Sequence, residues 1–107
     1  MTPMQQCHAL VKVCPKLFRI DHNGSVWWMR EGYETATDPL HDLNAIVAAC
    51  DSLADTEIPG TSNIFRFEFP GHLYHLLKPP THEFNYVNAT AKQRVEALLR
   101  TYGEWKE

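Results

Sequence analysis

Long hydrophobic runs are missing from this chain of 107 residues. The longest run, Ala45–Cys50, has six residues, whereas a transmembrane helix needs about 20. The stretch Met1–Gln6 has no basic residue, and no long apolar block follows it, so we expect no secretory signal and no membrane association. The composition, 44% hydrophobic and 21% charged, is typical of globular proteins. We expect residues 1–107 to form a single domain.

Phosphate-binding and catalytic motifs are also missing. None of the five glycines lies in a GxGxxG or GxxxxGK[ST] pattern, and the chain contains no HExxH, GxSxG or CxxC. Its three cysteines, Cys7, Cys14 and Cys50, are odd in number, which argues against a disulfide framework and favours a reducing compartment. We therefore expect a cytoplasmic protein without catalytic activity.

Basic residues are missing from a long central stretch. Between Glu31 and Phe65 there are seven acidic side chains and no Lys or Arg. Residues 1–30 carry four basic and one acidic side chain, and residues 66–107 carry six basic and five acidic, so the net charge is −3. Ordinary solvation explains such a stretch, and an acidic face that steers a basic partner is the alternative. The lack of a basic excess makes nucleic acid an unlikely partner.

The first third of the chain predicts a hairpin. Asn23-Gly24 separates the apolar runs Leu17–Ile20 and Ser25–Arg30, and Asn-Gly favours the tight turn between antiparallel strands. His8–Val13 has the composition of a further strand. We interpret Glu31–Thr37 as a polar connection.

A long helix is predicted from Pro39 to about Ala54, with Asp38 as its N-cap. Its apolar face would contain seven residues, among them Cys50 as a small buried hydrophobe. The opposite face would consist of small side chains, those of Ala45, Ala48, Ala49 and Ser52. These small residues reflect helix propensity or mark a packing surface for another element.

The second half predicts more strands and a final helix. Ile64–Phe69 alternates strictly, so Phe65, Phe67 and Phe69 would share one face of a strand. His72–Leu77 fits a short strand or one helical turn, and Phe84–Val87 fits another short strand. A capping box begins the last helix at Thr90, and Gly103 can end it.

This order predicts an α+β fold. We expect a mostly antiparallel sheet, built from the N-terminal hairpin and later strands, with two helices packed on one face. The hairpin–helix–strand–strand order is also compatible with a β-grasp-like sheet.

Histidines supply the one candidate metal site. His72 and His75 would share a face if they lay on a helical turn, and His82 follows seven residues later. With a nearby carboxylate, these side chains could bind zinc. Surface histidines that bind no metal are the alternative, and we expect no cofactor.

Tryptophan and arginine supply the candidate interaction surface. Trp27 and Trp28 are adjacent on a strand, so one of them points away from the main core. Trp is common at interface hot spots. If Trp27, Trp28, Arg30 and Arg66 shared a sheet face, they could alternatively stack on single-stranded nucleic acid. The candidate interaction residues are Trp27, Trp28, Arg30, Arg66, Ala45, Ala48, Ala49, Ser52 and Trp105.

We therefore expect a small cytoplasmic protein-interaction module, such as an accessory, inhibitor or regulatory protein, which forms a homodimer. A metal-binding or metal-dependent hydrolytic protein that uses the histidines is the first alternative. A single-stranded nucleic-acid binder is the second.

The histidine content predicts a response to mild acid. Protonation of all six histidines would change the net charge from −3 to +3, and imidazole titrates between about pH 7 and 5. We expect solubility or self-association to change over that range. Dynamic light scattering measures this directly, and a constant particle size would contradict the prediction.

Overall fold

The computed structural model describes residues 1–77 and 89–107. A three-stranded antiparallel sheet and four helices make up the described part, which confirms an α+β fold. The strands follow one another in the order β1-β2-β3. The elements are α1 (Pro3–Val13), β1 (Phe18–Ile20), β2 (Val26–Arg30), β3 (Tyr33–Thr37), α2 (Leu43–Leu53), α3 (Phe65–Leu77) and α4 (Ala91–Thr101).

The predicted hairpin is confirmed. β1 and β2 pair with Phe18 opposite Trp28. The carboxylate of Asp21 accepts hydrogen bonds from the backbone N–H groups of Asn23 and Ser25 at 2.9 and 3.0 Å. Gly24 has φ +83°, which the missing side chain permits. The turn is thus fixed by its own residues.

The predicted strand His8–Val13 is wrong, because this segment belongs to α1. The helix begins with a capping box in which the Thr2 side chain accepts from the backbone of Gln5 and the Gln5 side chain accepts from the backbone of Thr2. Pro3 occupies the first helical turn, where its missing N–H costs nothing. These helix-start signals outweigh the strand preference of the valines near the C-terminal end of α1.

The predicted connection Glu31–Thr37 is also wrong, since Tyr33–Thr37 forms β3. Gly32 has φ +89° and allows a two-residue turn, so that Tyr33 pairs with Arg30. Tyr and Thr favour extended backbone. Their pairing with β2 therefore extends the hairpin into a three-stranded meander.

The long helix is shorter and rotated relative to the prediction. α2 begins at Leu43, and its N-cap is Asp42. Asp38 instead accepts from the backbone of Leu40 in the preceding turn. Ala45 and Ala49 are fully buried and belong to the core, so the prediction that they lie on the outer face is wrong.

The small side chains of α2 face another helix. α2 packs on α4, and alanine allows two helices to approach closely. Leu43 and Val47, predicted to be inside, are 42% and 36% exposed. Ala48 is half-buried and Ser52 is exposed. The inward face of α2 is therefore made of Ala45, Ile46 and Ala49, which are all fully buried.

The predicted strand Ile64–Phe69 is wrong, because it enters α3. Phe65, Phe69 and Leu73 recur every four residues and are all buried, which is a helical spacing. The ring centroids of Phe65 and Phe69 lie 5.1 Å apart. Phe67 is 70% exposed. Just before α3, Ile64 forms an isolated antiparallel β-bridge with Glu57.

The later strands of a β-grasp-like order are not found within residues 1–77 and 89–107. Strand character at His72–Leu77 is excluded, because α3 continues through it. The predicted strand Phe84–Val87 lies outside the described residues.

The last helix is confirmed and lies at the centre of the core. Thr90 and Gln93 form the capping box of α4. Gly103, at φ +71°, closes the helix, as Glu104 N–H bonds to the Leu99 carbonyl at 2.8 Å. This is a Schellman ending. The fully buried residues are Val95, Ala97, Leu98 and Leu99, and α4 packs on α1, α2 and α3.

The helical assignment of α3 predicts opposite results for two phenylalanines. Phe65→Ala should lower the free energy of unfolding by about 3–5 kcal/mol, because a buried ring is lost. The matched control Phe67→Ala should change it by no more than about 0.5 kcal/mol. Urea unfolding of both variants measures the difference. Equal losses would indicate that both rings share a buried face, as on a strand.

Candidate functional site

The predicted histidine cluster gains no third ligand in the described part of the chain. His72 and His75 lie three residues apart on α3, half-buried and exposed respectively. His82 lies outside the described residues. Within residues 1–77 and 89–107, no group of three His, Cys, Asp or Glu side chains is placed to hold a metal ion.

The cysteines are free thiols, and their surroundings disfavour thiolates. Burial raises the pKa of Cys14 and of Cys50 to about 12. Burial, followed by the nearby carboxylate of Asp38, also raises the pKa of Cys7. A thiol is a nucleophile in its ionised form. Each of the three is therefore poorly suited to nucleophilic chemistry near neutral pH.

Trp27 and Trp28 point to opposite sides of the sheet, as alternation predicts. The indole Nε1 of Trp27 donates to Asp21 Oδ2 at 2.8 Å. The guanidinium of Arg19 lies 5.4 Å from the Trp27 ring and donates to both carboxylate oxygens of Glu34, the shortest contact being 2.6 Å. The Trp27 ring therefore already has a hydrogen-bond partner and a cation–π partner on the outer face of the sheet.

The carboxylate of Asp21 ties this outer face to the hairpin turn. Hydrogen bonds from Trp27 and from the Ser25 backbone lower the pKa of Asp21. A group with a lowered pKa contributes stability above its ordinary pKa and loses it as the pH falls toward the lowered value. The turn is therefore held by an ionised carboxylate at neutral pH.

Two more predicted interaction residues lie away from the sheet. Arg66 is on α3 and bonds to Asp55 at 2.5 Å, so it does not share a face with the tryptophans. The predicted stacking platform for nucleic acid is therefore not assembled from these residues. Trp105 is half-buried against the core, with the guanidinium of Arg100 5.2 Å from its ring, and anchors the C-terminal tail.

Trp28, Arg30 and Tyr33 meet beside a cavity of about 320 Å³. The guanidinium carbon of Arg30 lies 4.3 Å from the Trp28 ring centroid and 5.9 Å from that of Tyr33. Trp28 is buried, whereas Tyr33 is 53% exposed. The remaining lining residues are Leu17, Met29, Glu31 and Ala48.

The local fold explains this arrangement. Burial of Val26 and Trp28 places every second residue of β2 on the inner face, so Arg30 follows them at the end of the strand. The two-residue turn then sets Tyr33 directly opposite Arg30. An aromatic ring therefore flanks the guanidinium from each of two neighbouring strands.

Arg30 retains its hydrogen-bonding capacity. Among the described residues it makes no hydrogen bond or ion pair, and its contacts are with the two rings. A guanidinium has five N–H donors, and stacking on aromatic rings leaves its edge free. The site can therefore offer fixed donors to an acceptor group beside apolar surface.

A larger cavity, about 420 Å³, lies elsewhere on the sheet and is lined by Cys7, Gly24, Val26, Ala36 and Asp38, among others. Among the residues that the structure describes, none of those lining it is aromatic or basic, and its thiol has a raised pKa. Volume therefore does not identify the functional site here. The cavity beside Arg30 combines cationic, aromatic and apolar groups with one carboxylate, that of Glu31, and we regard it as the better candidate.

The acidic stretch is largely engaged within the fold. Glu34 pairs with Arg19, Asp38 with His41 and Asp55 with Arg66. Asp42 caps α2 and accepts from the hydroxyl of Thr37 at 2.9 Å. Four of the seven acidic side chains thus have partners, and two of them, Glu34 and Asp55, are paired with an arginine.

No protein-family model, curated protein or solved structure matches this chain. In the part that the structure describes, no helix has the length and apolar character needed to cross a bilayer.

Sequence reasoning identified Trp28 and Arg30 but missed Tyr33. The signal was present, because Gly32 can turn the chain in two residues and Tyr33–Thr37 is rich in strand-forming residues. Polarity alone led to the interpretation of this segment as a connection.

The thiol environments predict low reactivity in the native protein. Cys14 and Cys50 should react slowly with Ellman's reagent at pH 8, because burial raises their pKa values to about 12. The Cys7→Ser variant isolates these two thiols, and unfolding in urea should release both. Rapid reaction of both thiols in the folded Cys7→Ser protein would contradict the burial of Cys14 and the partial burial of Cys50.

Proposed function

We propose that this protein is a non-catalytic protein-interaction module that binds its partner at the cavity lined by Trp28, Arg30 and Tyr33. The observation that carries the proposal is the guanidinium of Arg30, held against two rings and without a hydrogen-bond or ion-pair partner among residues 1–77 and 89–107. Trp, Tyr and Arg are the residue types most enriched at interface hot spots. Three of them at one cavity favour a contact that contributes strongly to affinity.

The surroundings of Arg30 define the chemistry of the partner. A carboxylate or a backbone carbonyl would accept from the guanidinium, and carboxylate–guanidinium pairs can be bidentate. Leu17, Met29 and Ala48 offer apolar surface in the same cavity. A segment with an acidic residue next to an apolar side chain fits these groups.

The thiols are consistent with a reducing cytoplasm as the place of action. Cys7, Cys14 and Cys50 are all free, and free thiols persist where glutathione and thioredoxin keep them reduced. An accessory, inhibitory or regulatory role would follow from binding alone.

Selection of peptides from a random library tests the proposal directly. The library is displayed on phage and selected against the protein, and the enriched peptides are synthesised with a fluorescent label. We expect them to share an acidic residue beside an apolar one. Arg30→Ala should weaken their binding by roughly 30-fold, because truncation of a hot-spot residue costs about 2 kcal/mol or more.

Arg66→Ala is the matched control. Arg66 is also an exposed arginine next to an aromatic ring, 5.0 Å from Phe67, but it lies on α3. Its removal should leave fluorescence anisotropy titrations unchanged. Selected peptides that bind the wild type and Arg30→Ala equally would refute the proposed site.

A further inference from the structure

The outer edge of β3 carries unpaired backbone groups, and their identity follows from the hydrogen bonds of β2. Met29 N–H bonds to the Leu17 carbonyl at 2.7 Å, toward β1. Because successive residues of a strand bond to opposite sides, Trp28 and Arg30 bond toward β3. Their partners, Thr35 and Tyr33, use their backbone groups in that ladder.

Glu34 and Ala36 consequently direct their N–H and C=O groups away from the sheet. β3 is an edge strand in the order β1-β2-β3. Among residues 1–77 and 89–107, no backbone hydrogen bond is found at these outward groups. Ala36 is exposed. The edge thus offers two donors and two acceptors in line.

The usual protection of an edge strand is weak here. Natural edges carry lysine, proline or a bulge, whereas Tyr33–Thr37 contains none of the three. Its single charge, Glu34, is paired with Arg19 of the same sheet at 2.6 Å. The edge is therefore chemically suited to pair with another strand.

The charges near the edge select how a second copy would align in an antiparallel pair. A register centred on Glu34 places the two Glu34 carboxylates opposite each other. A register centred on Ala36 places Glu34 opposite Asp38 of the second copy. Centred on Thr35, the register places Glu34 opposite Ala36 and the two Thr35 side chains together. Opposed like charges are destabilising and Thr–Thr pairs are favourable, so the register centred on Thr35 is preferred.

We propose that a second copy of this chain pairs with β3 in this register, which joins the two sheets into one of six strands. Glu34 and Ala36 of each copy would exchange four backbone hydrogen bonds. The inference extends the proposed interaction function to a second copy as partner, but it uses backbone groups of β3 rather than the guanidinium of Arg30.

Substitutions at Ala36 test both the edge and the register. Ala36→Pro removes an outward donor and no bond of the β2–β3 ladder, so it should yield a monomer. Ala36→Glu places a carboxylate opposite Glu34 and should lower the association constant about tenfold, because both cross-strand pairs become repulsive. Ala36→Lys places a cation there and should retain or strengthen the dimer.

Sedimentation equilibrium at neutral pH measures these effects over about a hundredfold range of concentration. We expect the wild-type mass to rise from 12.3 kDa toward twice that value. Urea unfolding of each variant checks that the monomer remains folded. If Ala36→Pro does not fold, the comparison of Ala36→Glu with Ala36→Lys still tests the proposed pairing and its register.

A wild-type protein that stays monomeric would overturn the inference. Equal association of Ala36→Glu and Ala36→Lys would also overturn it, because the proposed register requires opposite effects. Peptide binding by a monomeric wild type, lost in Arg30→Ala, would leave the cavity proposal intact. If the protein dimerises but the selected peptides bind the wild type and Arg30→Ala equally, the cavity proposal is refuted and the proposed pairing of β3 is retained.

Discussion

Burial of α4 is the constraint on which the rest of the structure depends. Its residues Val95, Leu98 and Leu99 are fully buried, and three other helices pack against it. A helix surrounded in this way requires neighbours that can approach closely. Ala45 and Ala49 meet this requirement on α2, while Phe65 and Phe69 supply bulk on α3. The central helix therefore determines which face each neighbour turns inward.

The same core sets the chemistry of the sheet. Phe18, Val26 and Trp28 are buried, and strand alternation then assigns every other residue to the opposite side. Trp27 is thereby placed on the outer face with the Arg19–Glu34 pair. Arg30 ends the inner row beyond the core, where its stem remains near Trp28 and its charge stays accessible. The cavity site is thus a consequence of where the apolar row of β2 ends.

The parts of the fold that sequence predicts are those with local physical signals. Asn23-Gly24 sets a turn, and Thr90 with Gln93 begins a helix, without help from distant residues. The assignments that failed depend on distant contacts. The alternation of Phe65, Phe67 and Phe69 fits a strand, but packing on α4 buries two of these rings at helical spacing and exposes the third. Similarly, the partner of Tyr33–Thr37 is a neighbouring strand rather than an adjacent residue. Two of the three site residues, Trp28 and Arg30, followed from local alternation, and Tyr33 required the pairing.

Charge connects the cavity and the strand edge. The chain carries net charge −3, yet Arg30 stands among rings without a carboxylate partner in the described part, and Glu34 is paired with Arg19. Repulsion between like charges would hinder both contacts. At the cavity, acidic side chains of this protein would repel the acidic residue of the partner. At the β3 edge, the Glu34 side chains of the two copies would repel each other. Pairing with Arg19 lessens this repulsion for Glu34, whereas the cavity presents the guanidinium of Arg30 together with the carboxylate of Glu31. Because the two contacts use different atoms of the same meander, a substitution can alter one of them while the other is retained.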